Sequence, residues 1–186
     1  MPSNQGNQVL YFFDGIQDSQ FIYQPVMGWG CEVQWAFWCL EGGNYWWMAA
    51  EICSSTACSY TSAVKISDKS YFTDVINGNV YFTQPSDGTK PYYTVIITDQ
   101  TNGQSLSINQ AASGASEAFP GVFEAYNVDD CTKLPQSNGG VMSEDFQSIV
   151  SNPPNNNWGP VVLGGPPNCS WGVNFANGFV NLLFAS

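Results

Sequence analysis

The sequence predicts an all-β protein: a single antiparallel β-sandwich of two sheets, supported by disulfides, that spans residues 1–186. Two observations lead to this prediction. Short runs of β-branched and aromatic residues alternate with clusters of Gly, Asn, Pro and Asp, which is the pattern of many short strands joined by turns. Hydrophobic residues also make up 44% of the chain, which is enough apolar material to fill one core.

Ten segments carry the strand pattern. In chain order they are Gln8–Phe13, Gln20–Met27, Glu32–Trp38, Tyr45–Ile52, Tyr60–Ile66, Asn79–Gln84, Tyr92–Thr98, Gln104–Asn109, Val122–Val128 and Gly178–Phe184. The seventh and eighth predict a hairpin, because residues 99–104 supply turn chemistry and Gly103 can adopt a positive φ. Asn77-Gly78 predicts a second turn, between Tyr71–Ile76 and the run Val80–Phe82.

Six cysteines, an even number, favour structural disulfides. A zinc site fits poorly, because no Cys-x-x-Cys occurs and the chain has no histidine. Several pairings are possible, and the simplest joins neighbours in sequence: Cys31 with Cys39, Cys53 with Cys58, and Cys131 with Cys169. Disulfides are typical of oxidising compartments, so we expect an extracellular protein, although no secretory signal is visible at its start.

The charge balance argues against several classes of partner. The chain has 15 acidic residues against 4 lysines, with no arginine or histidine, and its net charge is −11. Such a surface repels phosphate, so we expect neither nucleic acid nor an anionic membrane as a partner. Without histidine, Ser-His-Asp and Cys-His catalysis and the commonest metal ligand are absent. We therefore expect no cofactor and no metal site.

A cluster of aromatic residues is the first candidate binding feature. Adjacent strand residues point to opposite faces, so Trp46 and Trp47 share a core only if the sheet is covered on both sides. We therefore expect one of the two to be exposed or in a cleft. An exposed indole beside amide and carboxylate groups is suited to stacking on sugar rings. The candidates for such stacking are Trp29, Trp35, Trp46 and Trp47, although a wide sandwich core explains the same residues.

Two polar side chains among apolar neighbours are the second feature. Gln24 shares a strand face with Ile22 and Val26, where a buried amide bonded to backbone groups is the simplest explanation. Glu124 likewise shares its face with Val122 and Tyr126. A carboxyl group in apolar surroundings suits a general acid or base.

The order of these segments resembles the fungal glutamic peptidases over roughly residues 20 to 130. The strand with Gln24, the hairpin Tyr92–Asn109 and the run Gly121-Val122-Phe123-Glu124 carry the resemblance. It implies a secreted β-sandwich, active in acid, with one Gln and one Glu on facing strands. In that family the Glu activates a water molecule and the Gln amide stabilises the oxyanion.

Gln24 matches the position of the family's Gln, whereas the Glu position departs from the pattern. The family's Ala-Glu-Trp-Ile-Val-Glu run aligns with Phe119–Glu124 and places Pro120 where the catalytic Glu belongs. The resemblance therefore implies a relative without the catalytic base. A shift of four residues would restore a Gln24 and Glu124 dyad, but it would misalign the apolar positions.

The preferred prediction is a non-enzymatic, lectin-like binding protein for a neutral carbohydrate or another uncharged polymer. Trp29, Trp35, Trp46 and Trp47 would stack on the ligand, and Gln24 and Glu124 would hydrogen-bond to it. The alternative is an acid peptidase that cleaves a polypeptide with Gln24 and Glu124. A glycosidase with two carboxylates, and a structural or inhibitory protein without a small ligand, also stay open.

Overall fold

The computed structural model describes residues 8–35, 38–67, 74–114, 117–128, 130–131, 134, 141–145, 171–176 and 179–184. For residues 32–35, 38–41, 67 and 120, and for the segments from residue 141 onward, only the backbone is described. Within these ranges no helix is present, and no segment has the length and apolar character of a membrane-spanning helix.

The described chain forms twelve strands, and every pairing between them is antiparallel. They are β1 (Val9–Gln17), β2 (Ile22–Trp35), β3 (Trp38–Cys53), β4 (Cys58–Tyr60), β5 (Val64–Ser67), β6 (Ile76–Thr83), β7 (Tyr92–Asp99), β8 (Gln104–Ala111), β9 (Glu117–Tyr126), β10 (Val141–Asp145), β11 (Trp171–Ala176) and β12 (Phe179–Phe184). The predicted all-β, antiparallel class is confirmed.

The strands form three sheets where the sequence predicted two. Sheet 1 has the order β4-β3-β2-β1-β9, and β5 also pairs with β3. Sheet 2 has the order β6-β7-β8, and sheet 3 has the order β10-β12-β11. Of the strands in sheet 3, only β12 coincides with a predicted segment. The additional sheet therefore comes from the last quarter of the chain, where Gly178–Phe184 was the only segment among the ten predicted strands.

Sheet 2 packs across one face of sheet 1, here called the inner face of sheet 1. Alternate residues of each strand meet there, because side chains on a strand point to opposite faces. The buried residues of this layer are Tyr23, Met48, Ala50 and Ile52 from sheet 1 and Tyr93, Val95 and Ile97 from β7. Two apolar sheet faces packed together are the arrangement that a β-sandwich requires.

The opposite face of sheet 1, its outer face, is apolar as well. Val9, Phe13, Val26, Trp47 and Ala49 form a buried cluster on it. Trp46, the neighbour of Trp47, lies in a separate buried cluster on the inner face with Leu10, Phe12, Trp29 and Leu134. The expectation that Trp46 or Trp47 would be exposed is therefore wrong, because this part of sheet 1 is covered on both sides.

The predicted hairpin is confirmed and the predicted Asn77-Gly78 turn is wrong. Gly103 has a φ of +78°, and its N–H donates to the carbonyl oxygen of Asp99 at 2.8 Å. Asn77 and Gly78 instead lie inside β6. A Cβ atom at Gly78 would stand 2.5 Å from Cγ of Pro25 in sheet 1, so the glycine serves close packing between the two sheets.

One cysteine pair is established in the described part of the chain. Cys53 and Cys58 form a disulfide, as predicted, and it joins the ends of β3 and β4. Cys31 and Cys131 are also disulfide-bonded, while the side chains of Cys39 and Cys169 lie outside the described residues. The pairings proposed for those four cysteines stay predictions.

A buried carboxylate joins the turn between β1 and β2 to the end of sheet 2. Oδ1 of Asp18 accepts hydrogen bonds from the N–H groups of Gln20 and Phe21, at 2.7 and 2.8 Å. Its Oδ2 accepts from the Tyr23 hydroxyl at 2.9 Å and from the Ser113 N–H at 3.1 Å. Because Ser113 follows β8, one carboxylate fixes both sheets.

Candidate functional site

The tryptophans predicted to bind sugar are sealed inside the protein. Trp29, Trp46 and Trp47 are 2%, 5% and 0% exposed, so none presents a ring face to a ligand. The side chain of Trp35 lies outside the described residues. The prediction that these three indoles stack on a ligand is therefore wrong, because both faces of sheet 1 are covered where they lie.

The structure also separates the two residues of the predicted dyad. Gln24 lies on β2 and pairs with Glu51 of β3, whereas Glu124 lies on β9 and pairs with Tyr11 of β1. Tyr11 in turn pairs with Gly28, four residues beyond Gln24 on β2. Strand geometry then puts Gln24 and Glu124 about 10 Å apart across the sheet and about 13 Å apart along it. Their side chains do not meet.

The amide of Gln24 is paired with a different carboxylate. Its Nε2 donates to Oε2 of Glu51 at 3.2 Å and lies 3.7 Å from Sγ of Cys53. Glu51 is only 4% exposed, whereas Gln24 is half-buried, so the pair is a partly buried polar contact on the outer face of sheet 1. The sequence places the strand of Gln24 and the strand 45–52 as neighbours along the chain, and Glu51 lies in the second of them. Which residue of that strand faces Gln24 depends on the register, and the register is set by contacts that the sequence does not show.

On its other side Gln24 faces an apolar residue of β9 across a glycine. A Cβ atom at Gly15 would lie 3.7 Å from Cβ of Gln24 and 3.8 Å from Cδ2 of Phe119. Gly15 and Phe119 are also direct partners in the ladder between β1 and β9. The residue of β9 that lies level with Gln24 is therefore Phe119, whose side chain is a phenyl ring and not a carboxylate.

A different group of aromatic residues crosses the outer face of sheet 1, and it begins at Trp47. The indole of Trp47 lies directly over Gly28 of β2, where a Cβ atom would come within 2.1 Å of its Cζ2. Its Nε1 donates to the carbonyl oxygen of Gly30 at 2.9 Å. The absence of a side chain at Gly28 is what allows the indole to lie across the strand.

Two tyrosines extend this group to the surface. Tyr11 meets Trp47 edge to face, with ring centroids 5.9 Å apart and an interplanar angle of 78°. Tyr126 meets Tyr11 in the same way, at 5.8 Å and 76°. The Tyr126 ring is 51% exposed, and its hydroxyl donates to Oε2 of Glu124 at 2.8 Å. We call Trp47, Tyr11, Tyr126 and Glu124 the tyrosine platform.

The electrostatics of the tyrosine platform keep the Tyr126 hydroxyl neutral. Partial burial, with the hydrogen bond and negative charge of Glu124 added, raises the pKa of Tyr126 to about 12. The hydroxyl therefore stays protonated and continues to orient Glu124. An exposed ring of fixed orientation beside a carboxylate offers a face for CH groups and an acceptor for hydroxyl groups.

The sequence contained part of this site. The alternation that put Glu124 and Tyr126 on one strand face was visible, and β9 bears it out. Tyr11 was not predicted as a site residue, because its position beside Tyr126 depends on the pairing of β1 with β9. The described residues also contain no group of three or more His, Cys, Asp or Glu placed to hold a metal ion.

Comparisons with protein-family models, with curated proteins and with solved structures found no match for this chain. The resemblance to glutamic peptidases therefore stays a prediction from the sequence.

Proposed function

We propose that the chain is an extracellular, non-enzymatic binding protein that holds a neutral glycan on the tyrosine platform. The observation that carries this proposal is the exposed ring of Tyr126, fixed on one side by Tyr11 and at its hydroxyl by Glu124. The Cys53–Cys58 disulfide supports the extracellular setting.

A ring held in this way is suited to weak, repeated contacts with sugars. Binding loses less conformational freedom when the contacting side chain is already ordered. Sugar CH groups would stack on the exposed face of Tyr126, and sugar hydroxyls would donate to the free lone pairs of Glu124. The net charge of −11 disfavours anionic polymers, so the proposed ligand is uncharged.

The surroundings of Gln24 favour binding over peptide hydrolysis. A peptidase of the kind that the resemblance implies requires a carboxylate that contacts both water and substrate beside the amide. Glu51, the carboxylate that contacts Gln24, is almost fully buried. Glu124, the predicted base, belongs to the tyrosine platform instead.

Replacement of the exposed ring tests this proposal. We expect Tyr126→Ala to weaken binding of neutral oligosaccharides by about tenfold to a hundredfold, the effect of losing a well-placed aromatic contact. Titration by calorimetry measures it, with oligosaccharides chosen from a glycan array. Tyr60→Ala is the matched control, because Tyr60 is a 39% exposed tyrosine outside the platform.

Three results would contradict the proposal. The first is an array without signal for the wild-type chain, and the second is equal affinities for wild type and Tyr126→Ala. The third is digestion of casein at acidic pH that is lost in Glu51→Gln or Glu124→Gln, because that result would identify the chain as a carboxylate-dependent peptidase.

A further inference from the structure

The second surface of interest is the side of sheet 2 that points away from sheet 1. Residues on it alternate with the core residues of β6, β7 and β8, and the register aligns them in four rows across the three strands. The first row is Asn77, Thr98 and Ser105, and the last is Thr83, Tyr92 and Ala111. We call these twelve positions the sheet 2 face.

No residue of the sheet 2 face is buried, and the described elements pack on the other side of the sheet. β7 shows the alternation directly, since every second residue from Tyr93 to Asp99 is buried and the residues between them are partly exposed. The contacts of sheet 2 with β1, β2 and β3 come from its inner residues, Val80, Val95 and Ile108 among them. Within the described chain, the sheet 2 face is therefore open to solvent.

The face has no Asp, Glu or Lys at any of its twelve positions, although the chain has a net charge of −11. Asn, Ser and Thr dominate it, and the central position of the second row is Ile96. Asp99, the acid at the end of β7, is buried and bonded to the turn that follows. A charged partner would therefore lose hydration on contact without gaining an opposite charge. A neutral partner has no such cost, so the face favours a neutral partner.

Four of the polar side chains of the face are already ordered by hydrogen bonds to one another. The hydroxyl groups of Thr98 and Ser105 are 2.8 Å apart across neighbouring strands, and the Asn79 amide donates to Oδ1 of Asn77. Neighbouring strands are about 4.8 Å apart and residues on one face of a strand repeat every ~7 Å, so donors and acceptors recur on a lattice. The ring of Tyr81, 51% exposed, adds an apolar surface beside them.

From this combination we propose that the sheet 2 face binds the surface of an insoluble, uncharged polysaccharide. A packed polysaccharide surface presents regularly spaced hydroxyl groups and CH faces without charge. The hydroxyl and amide groups of the sheet 2 face hydrogen-bond to the sugar hydroxyl groups, and Tyr81 packs on the sugar CH faces. This site is separate from the tyrosine platform and does not depend on it.

A charge placed in the middle of the face tests the inference. We expect the full-length wild-type chain to co-sediment with microcrystalline cellulose, chitin or insoluble β-1,3-glucan. Thr94→Lys should bind about tenfold more weakly, because the ammonium group gains no partner and must be dehydrated. Tyr81→Ala should also weaken binding. Ser55→Lys makes the same change in net charge at an exposed loop residue of sheet 1 and should bind as the wild type does.

The outcomes separate this inference from the proposed function. Tyr126→Ala should still co-sediment with the insoluble polysaccharide but should bind soluble oligosaccharides weakly. Thr94→Lys should bind soluble oligosaccharides as the wild type does but should co-sediment weakly. Ser107→Lys, on the edge strand β8, replaces Thr94→Lys if circular dichroism shows that the latter does not fold. No co-sedimentation of the wild type, or equal co-sedimentation of wild type and the folded lysine variant, would overturn the inference. Inhibition of ice recrystallisation without polysaccharide binding would also overturn it and identify ice as the ligand.

Discussion

At the scale of single residues, Gly28 determines how the aromatic groups of the outer face are arranged. Its missing side chain is the space that the Trp47 indole occupies, and that indole supports Tyr11, which in turn supports Tyr126. The indole is fully buried and hydrogen-bonded to Gly30, so it has little freedom to move aside. A change of one methyl group at Gly28 therefore affects a ring at the surface.

We expect Gly28→Ala to lower the free energy of unfolding by about 3 kcal/mol, the upper part of the range for overpacking a core. It should also weaken glycan binding by displacing Tyr126. Urea denaturation followed by Trp fluorescence measures the first effect. Ser55→Ala, at an exposed loop position, is the control. A stability equal to that of the wild type would show that the indole moves without cost.

At the scale of elements, β4 is held in place by its connections to β3. All three of its residues are exposed, so it gains little from burial. Its support consists of the ladder with β3, the Cys53–Cys58 disulfide and a turn in which Ser54 and Ala57 exchange hydrogen bonds. β4 borders Glu51, the partner of Gln24, so its loss would open the edge of sheet 1 at that pair.

The double variant Cys53→Ser/Cys58→Ser should lose about 2 kcal/mol of unfolding free energy, the chain-entropy value for a short disulfide loop. Amide hydrogen exchange at Ser59, which pairs with Ile52 of β3, should become faster than in the wild type, while exchange in β7 changes only with global stability. Unchanged protection at Ser59 would show that the backbone ladder alone holds β4.

Local patterns predicted the elements better than they predicted the site. Runs of β-branched and aromatic residues marked most strands of sheets 1 and 2, and the chemistry of residues 99–104 predicted the β7–β8 hairpin of sheet 2 correctly. Gly78 was wrongly interpreted as a turn residue, because glycine permits close packing as well as turns. The contact between Gln24 and Glu51, and the place of Tyr11 beside Tyr126, depend on register between strands, which is set by packing of the whole molecule.

At the scale of the whole molecule, two carboxyl groups, half-buried Asp14 and buried Asp18, respond to pH in opposite directions. Burial raises the pKa of Asp14 from 3.8 to about 6. The carboxyl group lies beside Gly78 of sheet 2, where a Cβ atom on the glycine would stand 3.3 Å from Oδ1 of Asp14. For Asp18, burial acts to raise the pKa, but the hydrogen bonds from Gln20, Ser113, Phe21 and Tyr23 outweigh it and lower the pKa overall.

The sign of each effect follows from proton linkage. Above about pH 6, Asp14 is ionised in both states, and its burial destabilises the folded state. As the pH falls from 6 towards 3.8, the folded state takes up a proton that the unfolded state does not, so stability rises. Asp18 contributes stability above its unfolded pKa of 3.8, and that contribution is lost as the pH falls towards the lowered folded value. Stability should therefore be greatest between about pH 4 and pH 6.

We expect the free energy of unfolding to increase by about 1 to 2 kcal/mol between pH 7 and pH 4.5 from Asp14 alone. Urea denaturation across this range measures it. Asp14→Asn should remove most of the increase, whereas Glu117→Gln, which removes a charge from an exposed residue of β9, should retain it. An equal pH dependence in the two variants would assign the effect to the overall negative charge.

The carboxylate of Asp18 has a consequence for the order of folding. It binds Ser113, a residue 95 positions further along the chain, while the β7–β8 hairpin closes through a turn of only a few residues. Closing the longer loop costs more chain entropy, and contacts of large sequence separation slow folding. We therefore expect the hairpin to form early, and its far end to attach to the first turn of the protein late on the folding pathway.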